Sequence, residues 1–449
     1  SNFILGSIGN GDAGLTINGQ PAPVWPNGAF MAWLPNPPAS APQYELVATT
    51  GAETARLTLP VKISAPPTGP PPPPDTILPM SPARYAALIG PAAYASDTER
   101  VITAYALTGG IKRWFLLPET IVQITGTKGS SAYAKLDDSE TVRIDKADLR
   151  MLDSTVAEAK SITASPFTMK GASEWTDIVI PVSEKPAFLV EEGPSSIVLT
   201  LYGTSAATKK QISEKPPEGS YLTSVSSISN GPQMQYIVTT AGPIYGYLPL
   251  WEDGTFTLRV RSLPAVDAAS PLKGMTITVD PGHPPIGATG PTGLWEPEAT
   301  LAVGLKLRDI LQAKGANVVM TRTTPDPVAL NLRESISRRA NANAFVSIHL
   351  NAVGDGSNPF KAQGTATYHY FSHSEPMASA VQKAAVAQLG LPDNGVKREN
   401  FAVVRGTWMP SILVEGAFII MPDQEAALRT SEYQTRYAQG IADGIEAYF

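Results

Sequence analysis

Between Ala65 and Asp75 the chain reads APPTGPPPPPD. Proline fixes φ and has no amide proton, so neither a helix nor an inner strand can run through such a stretch. It favours extended polyproline II and acts as a semi-rigid spacer. A ligand for a proline-binding module is the alternative reading. The run divides the 449 residues into bodies that fold on either side of it, and residues 65–79 are read as a linker. At roughly 100–200 residues per domain, the length itself predicts two to four domains.

Composition narrows the function classes. The chain is 43% hydrophobic and 16% charged, enough apolar content to bury cores. Its net charge of −6 offers no basic excess for nucleic acid or an anionic membrane. No apolar run approaches the ~18 residues of a membrane span. There is no cysteine, which excludes disulfides, thiolate metal sites and cysteine nucleophiles. The four histidines are His283, His349, His369 and His373, so histidine chemistry belongs to the C-terminal part. The chain opens Ser-Asn without an export signal, which leaves room for a signal removed by processing.

Residues 1–64 alternate short apolar runs with Gly, Pro and Asn turns, as in LTING and ARLTLPVKI, the pattern of a small β-sandwich. The stretch INGQPAPVWPNGAFMAWLP resembles bacterial immunoglobulin-like modules. Residues 80–155, with KRWFLLPETIVQITGTKG, resemble an SH3-like β-barrel. Residues 156–270 continue with WTDIVIPVS, SSIVLTLYG and FTLRVRSLP, which predict another β-sandwich.

From Gly274 the texture changes. TITVD, NVVMTR, AFVSIH, TATYHYF, FAVVR and SILVE read as buried strands. Helices fit 297–314, with Leu301, Leu305 and Ile310 near one face, then 329–341, 375–389 and 431–447. Strand–helix alternation predicts an α/β domain over 274–449. Its sheet is largely parallel and flanked by helices, and β-sandwich and β-barrel modules precede it. His283 follows TITVD, His349 ends AFVSIH, Glu415 ends SILVE, and Glu296 opens a helix. Loops at the ends of parallel strands are where such sheets gather their sites. A catalytic zinc site needs three protein ligands and an open position, and His with carboxylate suffices. Glu298 competes with Glu296, and buried structural roles compete at each of the other three positions.

Five stretches occur in order: VDPGH at 279–283, GLWE at 293–296, SIHLNA at 347–352, GVKRENFAVVR at 395–405 and MPSILVEGAFI at 409–419. In these, residues 274–449 resemble the zinc-dependent N-acetylmuramoyl-L-alanine amidases of the amidase-3 type. The resemblance implies zinc held by His283, Glu296 and His349, with Glu415 as catalytic acid/base. It implies hydrolysis of the amide between N-acetylmuramic acid and L-alanine in peptidoglycan, in cell-wall remodelling and daughter-cell separation. The place of action would be the periplasm or cell envelope. Residues 156–270 then resemble the AMIN module that precedes such enzymes. A different zinc peptidase and a non-catalytic wall-binding protein are the competing readings.

Two departures stand out. The family usually has glycine after DPGH, whereas Pro284 and Pro285 follow here and stiffen the loop to Glu296. The stretch after SIHLNA is short, so no inserted plug helix is expected and activity should need no activator. Asp280 is expected to orient a ligand or simply to serve the turn. Arg333 is expected to form a structural pair. His369 and His373 are read as packing or strand-face residues, and Lys397 and Arg405 as cleft-edge or surface residues.

Overall fold

The computed structural model describes residues 1–62, 76–89, 101–108, 112–153, 161–171, 173–208, 212–252 and 254–449. The proline run at 65–75 lies outside them. Ser1–Pro66 and Ala265–Phe449 form one compact unit, and Pro67–Pro264 a second. Among the described residues, no helix is long and apolar enough to cross a membrane.

In the first unit, strands Asn2–Ser7 and Ala29–Leu34 pair antiparallel. A four-stranded sheet is formed by Gln20–Ala22, Gly14–Ile17, Gln43–Thr50 and Glu53–Pro60. Ile4, Phe30 and Leu34 meet Leu15, Ile17, Tyr44 and Leu46 in a shared core. Alternation along Ala29–Leu34 sends the intervening Met31 the other way, into the core of the C-terminal domain, where Phe3 and Leu5 also pack. Residues 1–64, expected as a module in their own right, therefore bury part of their surface against the α/β domain.

In the second unit, seven strands, the first Leu78–Leu88 and the last Leu149–Met151, form one sheet. Residues 168–261 supply a four-stranded and a five-stranded antiparallel sheet. The sequence divides these at 155/156, but one buried core runs through both parts. Trp114 donates across the division to the Tyr202 hydroxyl at 3.1 Å.

The C-terminal domain has strands β1 (Thr276–Pro281), β2 (Asn317–Met320), β3 (Ala344–Asn351), β4 (Thr365–His369), β5 (Asp393–Arg398) and β6 (Ser411–Phe418). Its helices are α1 (Glu296–Ala313), α2 (Leu330–Arg339), α3 (Pro359–Ala362), α4 (Glu375–Leu389), α5 (Pro422–Leu428) and α6 (Ser431–Tyr448). The sheet order is β2-β1-β3-β6-β4-β5. Only the β6–β4 pair is antiparallel. The expected α/β domain with a largely parallel sheet is what forms.

Helix α1 starts with Pro297 in its first turn and acidic Glu296 and Glu298 facing the positive end of the dipole. Its buried stripe is Ala299, Val303, Leu307 and Leu311, whereas Leu301, Leu305 and Ile310 are only half-buried. The contact face runs through small residues: a Cβ on Gly304 would lie 2.6 Å from Pro281. FAVVR is not a strand. Ala402–Val404 is a 3-10 turn, closed by Arg405 donating to the Asn400 carbonyl and side chain. The edge strand is instead the polar Asp393–Arg398.

Candidate metal centre

Strand β1 delivers the turn that carries His283. The Gly282 amide donates to the Ile348 carbonyl at 2.9 Å, extending the β1–β3 pairing one step past the strand. A Cβ on Gly282 would meet the His349 ring at 2.4 Å, so glycine alone permits this approach. His283 sits at φ +61°, a left-handed conformation that costs a non-glycine residue about 1–2 kcal/mol. Two buried arginines hold the turn in place. Arg333 donates to the carbonyls of His283 at 2.9 Å and Pro281 at 3.0 Å. Arg322 donates to Pro281 (2.8 Å), Gly282 (3.0 Å) and Pro297 (2.7 Å), tying the turn to the start of α1. Burial, helped by the charge of Arg333, lowers the Arg322 pKa to about 10, so it stays protonated at neutral pH.

Asp280 is fully buried and accepts from Arg333 (2.6 Å), Thr321 (2.5 Å) and Ser347 (2.6 Å). It therefore acts on the turn through Arg333, with its carboxylate occupied by these three partners. Arg333 makes the structural pair expected of it.

After the two prolines the chain returns through a tight loop. The Glu296 amide donates to the Ala288 carbonyl, and the Ala288 amide donates to Glu296 Oε2, both at 2.9 Å. Thr289 and Trp295 form an isolated bridge. The Pro284–Pro285 turn thus still brings Glu296 back beside His283. Glu296 Oε1 lies 3.3 Å from His283 Nε2 and 3.3 Å from His349 Nδ1, and accepts from the Leu350 amide at 3.0 Å. The two imidazoles meet edge to face, centroids 4.8 Å apart. Burial would raise the Glu296 carboxyl, but the hydrogen bonds and charges of both histidines hold it well below the usual carboxylate range. Glu298 faces solvent.

The three candidate donor atoms lie within 4.8 Å of one another. Tetrahedral zinc with N and O ligands at about 2.0–2.1 Å has ligand–ligand edges of roughly 3.3–3.4 Å. The two 3.3 Å separations match that edge, and among the described residues this is the one His/Asp/Glu group so assembled. His369 and His373 lie outside it. His369 Nδ1 is 3.1 Å from the Phe371 carbonyl, and His373 stacks on the Phe371 ring. Lys397 sits over the Tyr368 ring, and Arg405 holds Asn400.

Glu415 pairs in register with His349 on the neighbouring strand. Its Oε2 is shielded from solvent and, among the described residues, has no hydrogen-bond partner. Burial first, and then the charge of Glu296, pushes its carboxyl well above the usual range. A shielded carboxyl oxygen opposite His349 and within reach of the Glu296 charge is the arrangement expected where a cation and water complete the shell. A bulge follows His349, and the Tyr437 hydroxyl from α6 lies 3.1 Å from the His349 carbonyl and 2.8 Å from the Val414 carbonyl. Tyr437 thereby ties together the two strands that carry His349 and Glu415. Its ring fills the space over Gly416, where a Cβ would come within 2.1 Å.

Two histidines at strand ends, a carboxylate at the start of α1 and the Glu415 carboxyl on the adjacent strand thus converge at one end of a largely parallel sheet, an arrangement open to a metal-assisted hydrolase. The family profile described as N-acetylmuramoyl-L-alanine amidase matches residues 277–447. The Bacillus subtilis (strain 168) protein YqiI is 35% identical over 198 residues, 43% of this chain and 93% of that protein. The probable cell wall amidase LytH of Staphylococcus epidermidis is 31% identical over 213 residues, 46% of this chain and 69% of LytH. The N-acetylmuramoyl-L-alanine amidase LytC of B. subtilis is 36% identical over 186 residues, 40% of this chain but only 36% of LytC. The chain belongs to the amidase-3 family of N-acetylmuramoyl-L-alanine amidases.

Proposed function

We propose that the C-terminal domain hydrolyses the amide between the lactyl group of N-acetylmuramic acid and L-alanine of the stem peptide in peptidoglycan. The reading rests on family membership and, within the site, on the placement of Glu296 Oε1 at 3.3 Å from a nitrogen of each histidine. His283, Glu296 and His349 are the residues that would hold zinc. When bound, zinc supplies Lewis acidity that polarises a carbonyl and acidifies water.

The chain's own part is proton handling and positioning. Glu415 takes a proton from the attacking water and returns it to the alanine nitrogen as the C–N bond breaks. The products are a lactyl carboxylate and a free N-terminal L-alanine. Burial raises the Glu415 carboxyl above its ordinary range, which suits it to hold and return a proton, and a bound divalent cation would draw it back down. Asp280, Arg333 and Arg322 keep His283 in its strained turn. The segment between β3 and β4 carries only the four-residue α3, which supports activity without an activator. Residues 80–155, read as SH3-like, and 156–270, read as AMIN-like, would supply wall binding in the cell envelope and raise the local substrate concentration.

Digestion of purified peptidoglycan by the full chain tests the reading. New N-terminal L-alanine should appear, should stop with a chelator and should return with zinc, without an added partner protein. Release of amino acids from within the stem peptide would instead identify a zinc peptidase.

A further inference from the structure

We infer that the buried carboxylate of Glu425 is a positioning residue that sets the loop carrying Glu296, and so tunes how tightly the metal is held. The inference deepens the proposed function and rests on its reading of His283, Glu296 and His349 as zinc ligands.

Glu425 lies on α5 and is fully buried. Its carboxylate is spent on the loop backbone. It accepts from the Thr292 amide at 2.9 and 3.1 Å and from the Leu294 amide at 3.0 Å. Arg429, one turn along, donates to the Thr292 carbonyl at 3.1 Å and hydroxyl at 3.0 Å, and lies 3.4 Å from Glu425. Inside the loop, Gly293 donates to Gly290 and Gly290 donates to Leu294. The loop also leaves room for the clamp, because a Cβ on Gly290 would stand 2.6 Å from the Glu425 carboxyl carbon. Two residues beyond Leu294 comes Glu296.

A buried carboxylate is costly unless its bonds repay it. Here they go to two amides that the loop leaves outside any strand pairing. Bonds from N–H groups to an ionised acceptor are roughly twice as strong as neutral ones. A glutamine at 425 keeps the shape but removes the charge and sets an N–H donor against the Thr292 amide where Oε2 now accepts. Groups that orient a metal ligand without touching the metal typically cost 10–100-fold in affinity when changed. Glu425 acts through the backbone on Glu296, which places it in that position.

The test is a zinc competition titration of the full-length metal-free protein against a chromophoric chelator, beside its thermal melting. E425Q should weaken zinc binding by about 10–100-fold. G290A, whose methyl displaces the carboxylate while leaving its charge and α5 in place, should weaken it in the same direction and covers the case in which E425Q fails to fold. A fall in melting temperature with zinc affinity unchanged in both variants would show that Glu425 only packs α5, and would overturn the inference. A wild-type chain that binds no stoichiometric zinc would instead overturn the ligand assignment, and the inference with it.

Discussion

The site is made by two regions built in opposite ways. The loop Gly282–Glu296 has little regular structure, and each of its bends is tied to a distant side chain: Arg333, Arg322 and Glu425. Strand β6 brings Glu415 by ladder pairing, with β3 on one side and β4 on the other. Both regions present a carboxylate, and the surroundings separate them. Glu296 faces two histidines and is held low, whereas Glu415 has a shielded oxygen, unpaired among the described residues, and is pushed high. One carboxylate is thus kept as an anion suited to a cation, and the other is left free to exchange a proton. The lesson is that a loop can be as well determined as a strand, provided buried polar side chains replace the ladder.

That contrast can be broken from either side. The largest effect should come from emptying the loop's cluster. Removing the metal with a chelator, or H349A, should cost about 10³-fold or more in amide hydrolysis, since Lewis-acid stabilisation is worth several kcal/mol at tenfold per 1.36 kcal/mol. A variant with undiminished turnover would contradict the assignment.

Next in size is the Asp280–Arg333 pair beneath the loop. Its side chains are 0% and 2% exposed. D280A leaves Arg333 buried and unpaired and should cost about 3–5 kcal/mol in denaturant unfolding. A loss under 1 kcal/mol would show that the turn holds without it.

A smaller effect belongs to the strand side. The folded-state pKa of Glu415 lies above its ordinary 4.5, so between the two values the folded protein binds more protons than the unfolded chain. The stabilisation is therefore full below about pH 4.5 and is lost as pH rises through the folded-state pKa. Metal-free E415Q should melt higher than wild type at pH 8, and the gap should close near pH 4. A pH-independent gap would remove the buried-carboxyl explanation.

Much of this site could be read before any fold was known. His349 and Glu415 each end an apolar run, His283 follows one across a Pro-Gly step, and Glu296 opens a helix marked by Pro297, so local pattern and motif order point to them together. The domain class followed from strand–helix alternation. What stayed hidden depends on tertiary packing. Arg322 follows a strand like any surface arginine, yet its guanidinium is buried among carbonyls from three segments. Glu425 lies 131 residues beyond the Leu294 amide it accepts from, and Tyr437 lies 88 beyond the His349 carbonyl it donates to, and no local spacing marks either. The buried stripe of α1 passes through Gly304, which has no side chain to register as apolar and leaves no room for a Cβ against Pro281, so the leucine spacing does not mark it. The polar edge strand Asp393–Arg398 escaped for the related reason that an edge needs no apolar alternation.

The division of labour between the two carboxylates is the central claim, and a paired assay of E296Q and E415Q addresses it most directly. Zinc content and release of N-terminal L-alanine would be measured on the same preparations. E296Q should lose zinc and activity together. E415Q should keep one zinc per chain while turnover falls about 10²–10⁴-fold, the range of general acid–base contributions. An E415Q protein that hydrolyses peptidoglycan at the wild-type rate, or one that loses its zinc as E296Q does, would contradict the account.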